Sequence, residues 1–135
     1  MDTRTSRTRV REHLARARRH RAGGRYAEAE GALREALRLA RRASGPASAE
    51  TAEAASALGI LLEGLGRPTE AEQPLRLAVR LYERAYGPDD IRLAPPLNAL
   101  GAVLHLHGEL TEAERLSRRV VDILLSAEPR RLRGR

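Results

Sequence analysis

The sequence contains no cysteine, phenylalanine or tryptophan, and each absence excludes a class of structure. Without cysteine, a disulfide framework and a thiolate-ligated zinc or iron–sulfur centre are excluded. The aromatic residues are three tyrosines, too few for a β-sandwich or barrel, which places β-branched and aromatic side chains at alternate positions. The 135 residues suffice for one domain, and this composition predicts an all-α domain.

Long apolar runs are also absent. The longest, Leu58–Leu62 and Ala99–Leu104, are far shorter than the roughly 20 residues that span a bilayer. No apolar block follows the basic N-terminus, as a secretory signal would require. These features predict a cytoplasmic protein without membrane association. Because all 25 basic residues are arginine, beside abundant alanine, glycine and proline, the composition is typical of a GC-rich bacterium.

Positive charge concentrates at the two ends of the chain. Residues 1–22 carry a net charge of +6 and residues 126–135 a net charge of +3, whereas the remainder is nearly neutral. Nucleic-acid or other polyanion binding through these ends is therefore an alternative function. The ends offer no aromatic side chain for base stacking, and no helix-turn-helix or zinc pattern is present, so we expect any such binding to be non-specific.

A repeat of 42 residues organises the sequence. Residues 24–65 and 66–107 align without a gap and are identical at 19 of 42 positions. Within each period, apolar residues recur at helical spacing, as in Ala29, Leu33, Ala36 and Ala40. Glycines at the period boundaries predict that one helix ends and the chain turns into the next. Each period is therefore expected to form two antiparallel helices that bury their apolar faces by stacking.

The prolines refine the helix boundaries. Pro68 suits the first turn of a helix. Pro74, inside a helical pattern, predicts a kink or a late start. Pro95 and Pro96 predict that the fifth helix begins near Ala94 or bends there.

The spacing Leu58-Gly59-x-x-Leu62, then Gly66, then Ala71-x-x-x-Leu75 resembles the tetratricopeptide repeat, whose usual period is 34 residues. The longer period of 42 is similar to that of kinesin light chains and of many bacterial signalling proteins. The resemblance implies a short right-handed α-solenoid of five to six helices, forming about 2.5 to 3 repeats over residues 9–127. Residues 1–8 are expected to be an unstructured basic arm, and residues 128–135 a basic tail.

In that family, the first helix of each pair lines a concave groove that takes a peptide. Carried over position by position, the resemblance implies a groove lined by Arg11, Leu14, Arg18, Arg21, Glu53, Ser56, Ile60, Glu63, Asn98, Ala102 and His105. Asn98 matches a family asparagine that often holds the ligand's backbone, and an exposed asparagine without a role is an equally good interpretation. The arginine-rich end suits an acidic partner segment.

The last predicted helix has apolar residues on more than one face. They are Leu116, Val120, Val121, Ile123, Leu124 and Leu125. Repeat stacks usually finish with a polar capping element, and the short basic tail is unsuited to that role. The pattern predicts an interface for a partner or for a second copy of the chain.

No set of residues indicates catalysis, a metal or a cofactor. His105 and His107 lie two residues apart, on nearly opposite sides of a helix, so they cannot share a metal ion. Asp89 and Asp90, in a turn before a helix, are typical of helix-capping residues. The sequence therefore predicts a non-enzymatic adaptor that binds a protein or peptide.

Overall fold

The computed structural model describes residues 3–43, 45 and 48–127, and in these ranges the chain forms six α-helices without a β-strand. The helices are α1 (Thr3–Ala22), α2 (Tyr26–Ala43), α3 (Ala49–Gly64), α4 (Pro68–Tyr86), α5 (Ala94–Leu106) and α6 (Leu110–Ser126), with a 3₁₀ turn at Ile91–Leu93. This confirms the predicted all-α fold. None of the described helices is both long enough and apolar enough to cross a bilayer.

The turn within each helix pair has the same hydrogen-bonded geometry. Gly24, Gly66 and Gly108 have φ angles of 76°, 76° and 78°. The N–H of Arg25, the residue after the glycine, donates to the carbonyl of His20 at 2.8 Å, and the N–H of Gly24 donates to Arg21. The other two turns repeat both bonds. This pair of hydrogen bonds is the Schellman motif, in which glycine takes the left-handed conformation without steric cost.

The helices of successive repeats begin differently. At α3, the Ser48 hydroxyl accepts a hydrogen bond from the Thr51 N–H. At the matching place before α5, Asp90 accepts from the N–H of Arg92, and a 3₁₀ turn comes first. Pro95 and Pro96 lack the N–H groups that would complete an α-helical turn there, so α5 begins at Ala94, as predicted.

The α4 helix begins at Pro68, as its sequence position predicts. It continues past Pro74 to Tyr86, so the predicted late start does not occur. Twelve further residues of helix, from Leu75 to Tyr86, and their packing hold this segment in place despite the lost hydrogen bond at Pro74.

The apolar stripes meet in two clusters of buried residues. The larger joins α1, α2 and α3 with parts of α4, α5 and α6. The smaller includes Val79 and Tyr82 of α4, Leu93 and Leu97 near the start of α5, and Ile123 of α6. Each helix therefore covers the helix before it, as expected for stacked repeats.

The N-terminal helix differs from expectation. The α1 helix extends through residues 3–8, where the sequence analysis expects an unstructured arm. The segment contains no glycine or proline, and the helix anchored by buried Val10 and Leu14 extends backwards through it. The predicted tail, residues 128–135, lies outside the described residues.

Candidate functional site

A cavity of about 270 Å³ lies between α1 and α3 and is bordered by α2 and α4. Six residues that the resemblance places in a groove line it together: Leu14, Arg18, Arg21, Glu53, Ser56 and Ile60. The 42-residue period explains this convergence. Leu14 and Ser56 occupy equivalent positions on neighbouring first helices, as do Arg18 and Ile60. We call this surface, together with the cavity described next, the α1–α3 groove.

A second cavity, of about 350 Å³, adjoins the first. The two share Glu53 and Tyr82, and Arg11 is the predicted groove residue that lines the second alone. Beside them, the guanidinium of Arg92 lies 3.9 Å from the centroid of the Tyr86 ring. This distance is typical of a cation–π contact, which holds Arg92 at the edge of the groove.

Tyr82 is the main groove residue that the sequence pattern does not predict. Its ring is almost buried and lies 6.1 Å, centroid to centroid, from that of Tyr86. Burial, and then the negative charge of Glu53, raise the pKa of Tyr82 to about 12. The hydroxyl therefore stays protonated at neutral pH and can donate a hydrogen bond. Among the described residues it has no hydrogen-bond partner, so it is available to a ligand.

Three of the arginines that line the groove differ from Arg92, which pairs with Asp90 at 3.0 Å. Arg11, Arg18 and Arg21 are exposed, and among the described residues none has an ion-pair partner. Elsewhere, arginines pair closely with carboxylates, as in Arg67 with Glu30 at 2.6 Å and Arg119 with Glu83 at 2.6 Å. The groove therefore combines free cationic groups with an apolar floor that includes Leu14 and Ile60.

The other predicted groove residues do not line either cavity. Glu63, at the end of α3, is half-buried; on α5, Asn98 and His105 are exposed and Ala102 is half-buried. Asn98 is the repeat equivalent of Ser56, so the same helix face continues from α3 onto α5.

The predicted C-terminal interface requires a correction. Ile123 is only 2% exposed and packs in the chain's own core with Leu93 and Leu97. Leu116 and Val120 are half-buried against the same cluster. Three of the predicted residues remain on the surface: Val121 (53% exposed), Leu124 (47%) and Leu125 (51%). The sequence could not separate these groups, because both follow helical spacing.

A third cavity, of about 420 Å³, lies between α2 and α4 and shares no lining residue with the α1–α3 groove. Arg41 and Arg80 line it, and neither has an ion-pair partner in the described part of the chain. Arg76, also in its lining, is held by Glu72 and Glu112. No carboxylate lines this α2–α4 cavity.

Two of the polar groups singled out for chemistry, His107 and Asp90, have structural partners. The Nδ1 atom of His107 lies 3.2 Å from a carboxylate oxygen of Glu72, and Asp90 caps the turn before α5, as predicted. The described residues contain no cluster of three or more histidine, aspartate or glutamate side chains that could hold a metal ion.

Comparisons with known proteins agree with this architecture. Family models of the tetratricopeptide repeat match residues 9–84 and 97–125. The chain belongs to the tetratricopeptide repeat family. Members of this family generally mediate protein–protein interactions and lack catalytic activity.

Two solved structures show the same fold at low sequence identity. BtubC (BKLC) from P. vanneervenii is 20% identical, with a TM-score of 0.80 over 90% of this chain and 48% of that one. The tetratricopeptide repeat domain of FLU from Arabidopsis is 20% identical, with a TM-score of 0.76 over 90% of this chain and 98% of that one. This chain thus spans about half the length of BtubC. No curated protein matches the sequence.

Proposed function

We propose that this chain is a non-catalytic adaptor that binds an acidic, partly apolar segment of a partner protein in the α1–α3 groove. The observation that carries the proposal is the position of three arginines without ion-pair partners in the described structure, Arg11, Arg18 and Arg21, beside an apolar floor. A segment with carboxylates and apolar side chains would satisfy both at once.

The groove offers three kinds of contact to such a segment. The floor, which includes Leu14, Leu33 and Ile60, would bury apolar side chains. The guanidinium groups would pair with carboxylates in charge-assisted, bidentate hydrogen bonds. The hydroxyl of Tyr82 and the amide of Asn98 would bond to the ligand's backbone or polar groups, since an amide both donates and accepts. The carboxylate of Glu53 repels ligand carboxylates at the centre of the groove and so helps to fix the position of the bound segment along the groove.

The decisive experiment compares two charge reversals of equal size. The probe is a fluorescein-labelled twelve-residue peptide of alternating glutamate and leucine, titrated in physiological salt. The double variant Arg18→Glu/Arg21→Glu should bind it about tenfold or more weakly. The control, Arg41→Glu/Arg80→Glu, makes the same change in net charge at the α2–α4 cavity and should bind like wild type. Equal loss in both variants would refute a specific groove.

The same titration tests polyanion binding, the alternative indicated by the basic ends. A DNA duplex should compete with the peptide for the protein at low salt. It should no longer displace the peptide at physiological salt, because binding by charge alone depends steeply on salt. Competition that persists at physiological salt, together with weak peptide binding, would favour the nucleic-acid function over the adaptor.

A further inference from the structure

The exposed apolar residues of the described chain concentrate at its C-terminal end. Leu106, Leu110, Val121, Leu124 and Leu125 are 47% to 66% exposed. Along α6, the positions 110, 114, 117, 121 and 124 alternate in steps of four and three and so form one straight line on the helix. They hold Leu110, Glu114, Ser117, Val121 and Leu124, which we call the α6 stripe.

In the preceding repeat, the equivalents of Val121 and Leu124 are covered, whereas those of Leu110 and Glu114, which are Pro68 and Glu72, are half-buried. Val79 and Tyr82 of α4 correspond to Val121 and Leu124, and both are only 8% exposed. They pack with Leu93 and Leu97 in the smaller core cluster. The C-terminal half of the stripe is therefore the side of a second helix against which a following helix packs, and no described element covers it on α6.

We infer that a second copy of this chain covers the α6 stripe, with the two α6 helices antiparallel and crossing at Ser117. The reason is the placement of the stripe's two leucines about Ser117. Leu110 and Leu124 lie seven residues on either side of Ser117, so an antiparallel copy places each Leu110 opposite the second copy's Leu124. The small serine at the crossing point allows the two helices to approach closely.

Charge agrees with this arrangement. Glu114 is the one ionised residue of the stripe, and it forms a 2.6 Å ion pair with Arg118. A head-to-tail contact would instead set the stripe against the exposed side of another copy's α1, which carries Arg9, Arg16 and Arg19. That contact would bury cationic groups against leucine, at a high desolvation cost. The antiparallel pair leaves these arginines exposed and closes as a dimer.

The interface is small, since each copy contributes mainly one helix face. Stable complexes bury at least roughly 1,200 Å² in total, so the dimer should dissociate on dilution. The stripe shares no residue with the α1–α3 groove, and the inference is independent of the proposed function. Loss of the dimer should therefore leave binding of the peptide probe unchanged.

Because the chain has no cysteine, a single introduced thiol reports on the crossing point. Ser117→Cys should form a disulfide-linked dimer in oxidising buffer, since facing positions at a close crossing come within disulfide reach. The control Arg115→Cys is also exposed but lies about 160° away around the helix and should stay mainly monomeric. Absent cross-linking at position 117, or equal cross-linking at both positions, would overturn the inference.

Light scattering tests the interface without a thiol. The molar mass of the wild-type chain should rise towards twice that of the monomer as protein concentration increases. Leu110→Glu/Leu124→Glu should remain monomeric at every concentration, whereas Leu106→Glu, an exposed leucine outside the stripe, should behave like wild type. A wild-type chain that is monomeric at all concentrations would also overturn the inference.

Discussion

The second repeat (α3 and α4) and the last repeat (α5 and α6) follow one sequence pattern, yet they are packed differently. In the second, Gly59 faces Leu75, and an added Cβ at Gly59 would lie 2.5 Å from the Leu75 Cγ. In the last, Ser117 replaces that leucine, and a Cβ at Gly101 would meet nothing closer than 3.8 Å. Tyr82 is buried, whereas its equivalent Leu124 is exposed. Equivalent residues thus differ in role because, in the described chain, a further helix packs against the second repeat and none packs against the last.

The largest difference in the free energy of unfolding is expected between variants at two neighbouring residues of α6. Ile123→Glu should lower the free energy of unfolding by about 3 kcal/mol or more, because it places a carboxylate in the core. Leu124→Glu should change it by less than about 0.5 kcal/mol. Urea denaturation at a protein concentration that keeps the chain monomeric measures both. Similar losses in the two variants would contradict the separation of core and surface on this helix.

The two equivalent glycines provide the next comparison. Gly59→Ala should cost about 1 to 3 kcal/mol of stability, since the new methyl group collides with buried Leu75. Gly101→Ala should be neutral, or stabilise by up to about 1 kcal/mol, because alanine favours the helix and space is available. Thermal denaturation of both variants checks this, and a destabilised Gly101→Ala would show that the last repeat is as tightly packed as the second.

A binding comparison tests whether the groove extends from α3 of the second repeat to α5 of the last. Asn98→Ala should weaken binding of the peptide probe about fivefold, the loss expected for one hydrogen bond, with little change in melting temperature. Thr111→Ala, an exposed change on α6, serves as the control. An unchanged affinity for Asn98→Ala would confine the groove to α1 and α3.

The smallest effect concerns Glu30 and its repeat equivalent Glu114. Hydrogen bonds from Arg67, a residue distant in the chain, hold the pKa of Glu30 below its ordinary value of 4.5. A carboxyl group whose pKa is lower in the folded state than in the unfolded state stabilises the fold at pH values above its unfolded-state pKa. This contribution is lost as the pH falls through its folded-state pKa. Glu30→Gln should therefore cost about 0.5 kcal/mol at neutral pH and less near pH 3.

The control for this effect is Glu114→Gln. Within the described residues, Glu114 pairs only with Arg118, one turn away on the same helix, and both side chains are mostly exposed. Its replacement should leave stability unchanged at either pH. Urea denaturation at pH 7 and pH 3 compares the two variants with wild type, and equal effects would contradict a special role for the contact between repeats.

Much of the fold was predictable, because its signals are local and repeat. The spacing of Ala29, Leu33 and Ala36 predicts a helix, and the glycine at each boundary predicts the turn that follows. The groove could be predicted in part, since equivalent positions on neighbouring first helices come together. Tyr82 was missed because it belongs to a second helix, and it reaches the groove only through the packing of α4 against α3.

The sequence by itself determined the period, the helices, their order and the family, because each depends on residues close together along the chain. Only the tertiary structure decided which equivalent residues are buried. Ile123 and Leu124 are both apolar and adjacent, yet one joins the core and the other faces outward. The physical reason is that burial depends on the neighbouring helix, and the last helix of the described stack has a neighbour on one side only.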